Sequence, residues 1–168
     1  MSLLNGLLAR GVVALANSAR KLQTLQMRLT AGEIKDGMEH LEPYGFTSCP
    51  LPGAEALAAF LGGDRSHGVV VVVTDRRYRM QNLKPGEVAI FTDEGDFIHM
   101  KRGRVIDIET HTLNIRAATA VNFDTPLITQ TGQIESQGDV KAAGVSLINH
   151  LHAGVQPGSG QTGKPVAG

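Results

Sequence analysis

VIDIETHTLNIRAATAVNFDTPLITQTGQIESQGDVKAAGVSLI, residues 105–148, decides how the rest of the chain is read. Apolar and polar side chains alternate at Ile106/Ile108, Leu113/Ile115 and Val121/Phe123, and Leu127, Ile134 and Val140 follow. Thr110, Thr112, Thr119, Thr125, Thr129 and Thr131 fill many of the intervening places. A strand turns successive side chains to opposite faces, so each short strand carries one apolar and one polar face. Strands this short need a partner for their apolar faces, and no helical pattern follows to supply one. Another copy of the same chain does. Three copies wound about one axis point their apolar faces inward and their Thr, Asn and Gln faces outward, and they pair one another's open edges. Cyclic symmetry closes such head-to-tail contacts. A lone β-sandwich or a short solenoid is the alternative that the pattern leaves open.

The 168 residues suit one domain, or one domain plus an extension. Hydrophobic residues make up 42%, a globular proportion, but aromatics only 4% with no Trp, so the core must be built from Val, Ile, Leu and Ala. Sixteen basic residues balance 16 acidic ones. Zero net charge argues against nucleic acid as the main partner, because the phosphate backbone demands a basic surface. A single cysteine, Cys49, allows neither an intrachain disulfide nor a cysteine-based zinc site within one chain, and folding in a reducing cytoplasm is expected.

Four segments follow from these patterns. Residues 1–20 are apolar but interrupted by Asn5, Arg10 and Asn17, which makes a poor signal peptide and too short a run to span a bilayer. Leu3, Leu4, Leu7, Leu8, Val12 and Leu15 fall at roughly helical spacing, while Gly6 and Gly11 weaken a helix by about 1 kcal/mol each. The segment reads as amphipathic, docking on a partner or on its own trimer; an ordinary core helix is the alternative. Residues 21–104 read as a small antiparallel barrel. There, LQTLQMRL is a strand, AEALAAFLGG is a short helix or a strand, and HGVVVVVTD is a strand buried on both faces. PGEVAIFTDEGDFIHMKRG reads as a hairpin turning at DEGD. The turn acids Asp93, Glu94 and Asp96 are expected in solvent, with calcium binding as the lesser reading. DRRYR, Asp75 to Arg79, reads as a charged loop near the trimer interface rather than a phosphate site. Residues 105–148 form the shaft, and 149–168 its tip.

The tip contains HLHAGVQPGSGQTGKP, from His150 to Pro165. In an extended chain, residues i and i+2 face the same side, so His150 and His152 point together. Two imidazoles make a poor metal site in one chain, since a structural zinc takes four ligands, and His40, His67, His99 and His111 lie far upstream at no ligand spacing. Around a threefold axis the pair becomes six nitrogen donors in two triangles. That shell fits iron better than tetrahedral zinc, and with no open position it fastens chains rather than catalysing. A chance histidine pair in an unfolded tail is the alternative.

The stretch EPYGFTSCPLPGAEALAAFLGGDRSHGVVVVVTDRRYR through LKPGEVAIFTDEGDFIHM resembles the Mu-type phage central spike family, also called baseplate assembly protein V. The resemblance is close from Leu22 to Leu113, and HLHAGVQPGSGQTGKP is similar to that family's spike-apex signature of H-x-H, Gly-Val, spaced glycines, Thr and Pro. It implies a mainly β homotrimer: an amino-terminal OB-type antiparallel barrel, an intertwined triple-stranded β-helix and a metal-bound apex. It implies iron at the apex held by His150 and His152 of each chain, with further calcium or chloride in the shaft whose ligands are not assigned here. It also implies a place at the tail tip in the baseplate, assembly in the host bacterial cytoplasm, a tail hub protein as partner, and piercing of the host outer membrane when the sheath contracts. No enzyme is expected, because the sequence contains no nucleophile elbow, P-loop or convincing pair of carboxylates. The competing readings are an H-x-H metalloenzyme and a carbohydrate- or nucleic-acid-binding barrel module. The second is disfavoured by the scarcity of aromatic stacking residues.

Overall fold

The structure, a computed structural model, describes residues 7–154 together with Gln156 and Gly158. It is almost wholly β and divides after Ile115 into two compact units. In the first unit, β1 (Leu8–Asn17), β2 (Thr24–Leu29), β3 (Ile34–His40), β4 (Glu55–Phe60) and β5 (Gly68–Thr74) close into a barrel in the order β1-β2-β3-β5-β4. All pairings are antiparallel except β3 with β5, where Glu39 and His40 lie beside Val69 and Val70 in parallel. The antiparallel expectation therefore fails at one seam. A parallel pair needs a crossover, and the long connection after β3, with β4, provides it.

Period-two patterning explains the barrel interior. Leu25, Met27 and Leu29 of β2 point inward, as do Ala56, Ala58 and Phe60 of β4. Alternating small and large residues fit a tapering barrel: the alanines leave room that Phe60 and Met27 fill. The alanine-rich run favours helix by propensity, but β4 is hydrogen-bonded to β1 on one side and β5 on the other, and that pairing overrides the local preference. Gly11 marks where β1 presses on β2, since a Cβ there would meet the Arg28 carbonyl oxygen at 2.6 Å.

Two expectations are corrected in this unit. The helical spacing over the amino-terminal segment is not followed: Leu8–Asn17 is β1, a full barrel strand, while Leu3 and Leu4 lie outside the described residues. A bulge between Val13 and Leu15 inserts one residue into the alternation. The outward positions are Leu8, Arg10, Val12, Leu15 and Asn17, and the odd step from Val12 to Leu15 gives the apolar ones a helix-like spacing on a kinked strand. The valine run of β5 is not buried on both faces. Val70 is fully enclosed, but Val71 and Val72 are each 50% exposed in the single chain.

After the barrel, β6 (Val88–Phe91), β7 (Phe97–Lys101) and β8 (Val105–Glu109) form an antiparallel meander, so the expected hairpin is present and gains a third strand. Val105–Glu109, read from the sequence as the first residues of the shaft, is that third strand. Cross-strand register places Val88 and Ile90 beside Met100 and Ile98, and those beside Ile106 and Ile108. These six share one face and are 39–63% exposed. The opposite face is mixed: Ala89, Phe91, Phe97 and Val105 share it with His99, Lys101, Asp107 and Glu109. Lys101 pairs with Asp107, and Glu87 accepts bonds from the backbone N–H of Arg102 (3.1 Å) and Lys84 (3.0 Å) and lies 3.2 Å from His99 Nε2.

Those backbone donors at Arg102 and Lys84, then His99, hold the Glu87 carboxyl below the usual glutamate range. A group depressed on folding adds stability that is complete above its unfolded pKa and is lost as pH falls through the folded one. Acidification below the usual glutamate range is therefore expected to loosen the meander. Urea midpoints at neutral pH and at a pH below the usual glutamate range check this: the loss should be smaller in Glu87→Gln than in the unmodified protein, and equal losses would remove Glu87 from the account.

In the second unit, residues 116–139 make no strand pairing among the described residues. Bends recur at Ala118–Thr119, Thr125–Pro126, Thr131–Gly132 and Gln137–Gly138. Bonds spanning two residues support the turns: Thr125 Oγ1 donates to the Leu127 carbonyl, Gln130 Nε2 to that of Gly132 and Ser136 Oγ to that of Gly138. Between them the apolar side chains stand open, with Leu127 70% and Ile134 74% exposed. A two-stranded hairpin, β9 (Lys141–Ala142) and β10 (Val145–Ser146), follows. Its two-residue loop, Ala143-Gly144, has positive φ at both positions (49° and 84°), the type I′ geometry that matches strand twist and favours glycine.

Candidate metal site

The hairpin leads directly into the histidine pair, and a small hydrogen-bond lattice fixes the passage. Leu147 N–H donates to the Val140 carbonyl (2.8 Å), extending the ladder one step past β10. Asp139 Oδ1 accepts from Ser146 Oγ (2.9 Å) and from Ile148 N–H (3.3 Å). Ser146 Oγ accepts in turn from Asn149 N–H (2.8 Å). The chain therefore turns over residues 147–149 and delivers His150 back toward the hairpin, beside a hollow lined by Val140, Ala142, Val145 and Leu147.

His150 Nδ1 lies 3.0 Å from the Ser146 carbonyl oxygen and 3.2 Å from that of Leu147. A carbonyl oxygen only accepts, so Nδ1 carries the hydrogen. In a neutral imidazole the other nitrogen, Nε2, then keeps its lone pair, the state a metal ligand requires. The ring of His152 stands 4.9 Å from that of His150, centroid to centroid, at 76°. The two imidazoles are thus neighbours, both exposed, and their chemistry fits a soft-to-borderline transition ion such as iron. Within one chain they are not a complete site: among the described residues no group of three or more His, Cys, Asp or Glu could hold a metal ion.

Several of the remaining sequence candidates have local partners. His40 is buried against Gln23 (Nδ1 to Nε2, 3.2 Å), and His99 faces Glu87. In the DRRYR loop, Arg76 pairs with Glu55, and Arg77 donates to Asp75 and to the Pro52 carbonyl. These guanidiniums brace barrel connections, and the Arg77 bond holds the Asp75 carboxyl below its usual range. In the acidic turn, Asp96 accepts from Thr92 Oγ1 at 3.1 Å. Sequence reading missed Asp139 and Ser146: Asp139 lies before the hairpin and Ser146 on its second strand, and no spacing rule reveals the register that brings them together.

Comparison with known proteins adds independent weight. Residues 10–77 match the family described as Bacteriophage Mu Gp45, N-terminal, and residues 144–166 match the GpV Apex motif, which takes in both histidines. The "Baseplate puncturing device gp45" of Escherichia phage Mu is 45% identical over 85% of this chain and 73% of its own length. The "Mu-like prophage FluMu protein gp45" of Haemophilus influenzae is 36% identical over 95% of this chain and 90% of its own.

Proposed function

Because the chain belongs to the Mu gp45 family of phage baseplate spikes, we propose that it is the central spike of a contractile tail, a homotrimeric needle that pierces the host outer membrane when the sheath contracts. Its parts are an OB-type barrel, a triple-stranded β-helical shaft within residues 105–148 and an apex beyond. The observation that carries this reading is the extended segment 116–139, whose backbone has no strand partner among the described residues and whose apolar side chains are open. Backbone donors and acceptors need partners when buried, and open apolar strands invite another chain. Two further copies answer both needs at once.

The work is mechanical. Interlocked strands resist bending because many hydrogen bonds must break together. Threonine, asparagine and glutamine on the outer face give lipid little to hold. At the apex, His150 and His152 of three copies supply six imidazole nitrogens to one iron ion, which acts as a clasp between chain ends and catalyses nothing. The barrel end meets the tail hub protein, and the particle's tail is where the protein resides.

A threefold-averaged density map of the purified protein tests this reading. Three barrels around one axis, with one strong peak between the histidine rings, is the expected result. Separate copies with an open metal position would favour a metalloenzyme, and separate copies without metal a binding module.

A further inference from the structure

We propose that Asp139 and Ser146 are positioning residues for the His150 ligand, a step that rests on the apex reading above. Ligating histidines generally donate their second ring N–H to a fixed acceptor, which sets tautomer and ring orientation. Here that acceptor is backbone: the Ser146 and Leu147 carbonyls at 3.0 and 3.2 Å from Nδ1. Main-chain carbonyls serve only if the turn that presents them is held. Asp139 Oδ1 holds it from one side by accepting from Ser146 Oγ and Ile148 N–H, and Ser146 Oγ holds it from the other by accepting from Asn149 N–H. Ser146 thus works twice, its hydroxyl bracing the turn and its carbonyl orienting the ring. Neither residue touches the metal. Together they keep Nδ1 engaged and the Nε2 lone pair free in the single chain, so three copies arrive with that donor already set.

The test uses the full-length trimer loaded with ferrous iron and challenged with bipyridine. Asp139→Ala and Ser146→Ala should release iron roughly 10–100-fold faster with the trimer intact, the range typical for lost outer-shell partners. Asp139→Asn, which keeps an acceptor oxygen, should stay within about threefold of the unmodified protein, since it preserves the oxygen on which that outer-shell arrangement depends. Unchanged release in Asp139→Ala would overturn the proposal, as would Asp139→Asn behaving like alanine. Nitrogen NMR of the iron-free protein gives a second readout that a merely structural role would not move. His150 should carry its hydrogen on Nδ1, and on Nε2 the proposal fails, even if Asp139→Ala does not assemble. An unmodified trimer that takes up no iron would instead defeat the metal reading, with the NMR result still deciding the positioning.

Discussion

Replacing Ile98 with aspartate is expected to leave single subunits with a folded barrel. Ile98 sits at the centre of β7, between Ile90 and Ile108 across the two neighbouring strands, on the apolar face of the meander. In the proposed trimer that face is covered by the other copies. Only the 39% of Ile98 still exposed in the single chain is left to bury on association, so removing it forfeits about 1 kcal/mol per copy, and a carboxylate forced into the same place costs about 3 kcal/mol more. About 4 kcal/mol per copy, or about 12 over three, lowers the association constant by roughly nine decades. Sedimentation should therefore show monomers at micromolar concentration, while far-ultraviolet circular dichroism keeps its β signature because the barrel core lies elsewhere. Ile98→Val, which trims one methyl group, should remain trimeric. A trimer in Ile98→Asp would mean that the meander face is solvent-exposed in the assembly.

Changing His150 and His152 together to alanine is expected to abolish iron binding and leave the trimer assembled. Six donors fall to none, so metal content measured by elemental analysis should drop from about one ion per three chains to background, because each copy loses both imidazole ligands. Assembly should persist because the strands of the shaft and the meander face are untouched. The tip alone should loosen: without the clasp, amide hydrogens after the hairpin should exchange much faster, as expected for a local opening with little left to oppose it. If the double variant were monomeric, the histidines and not the shaft would be the source of association. If it kept its iron, the ligands would lie elsewhere.

Much of this arrangement was legible in the residues. Strand β2 announced itself by Leu25, Met27 and Leu29 at period two, and the β6–β7 hairpin by its polar turn. The histidine pair needed only the rule that i and i+2 face together. The misreadings share a cause. The bulge at β1 depends on partners distant in sequence, which no local period records, and so does the choice between helix and strand at β4, which the residues left open. Val71 and Val72 read as doubly buried and are open in one chain. Asp139 was silent for a related reason, since its partners come near only once the Ala143-Gly144 turn has folded the hairpin back.

The most direct measurement is the intact mass of the unmodified protein under native conditions, taken together with its metal content. Three chains carrying one iron ion is the predicted result. A single chain, or a trimer with no transition ion at all, would contradict the account.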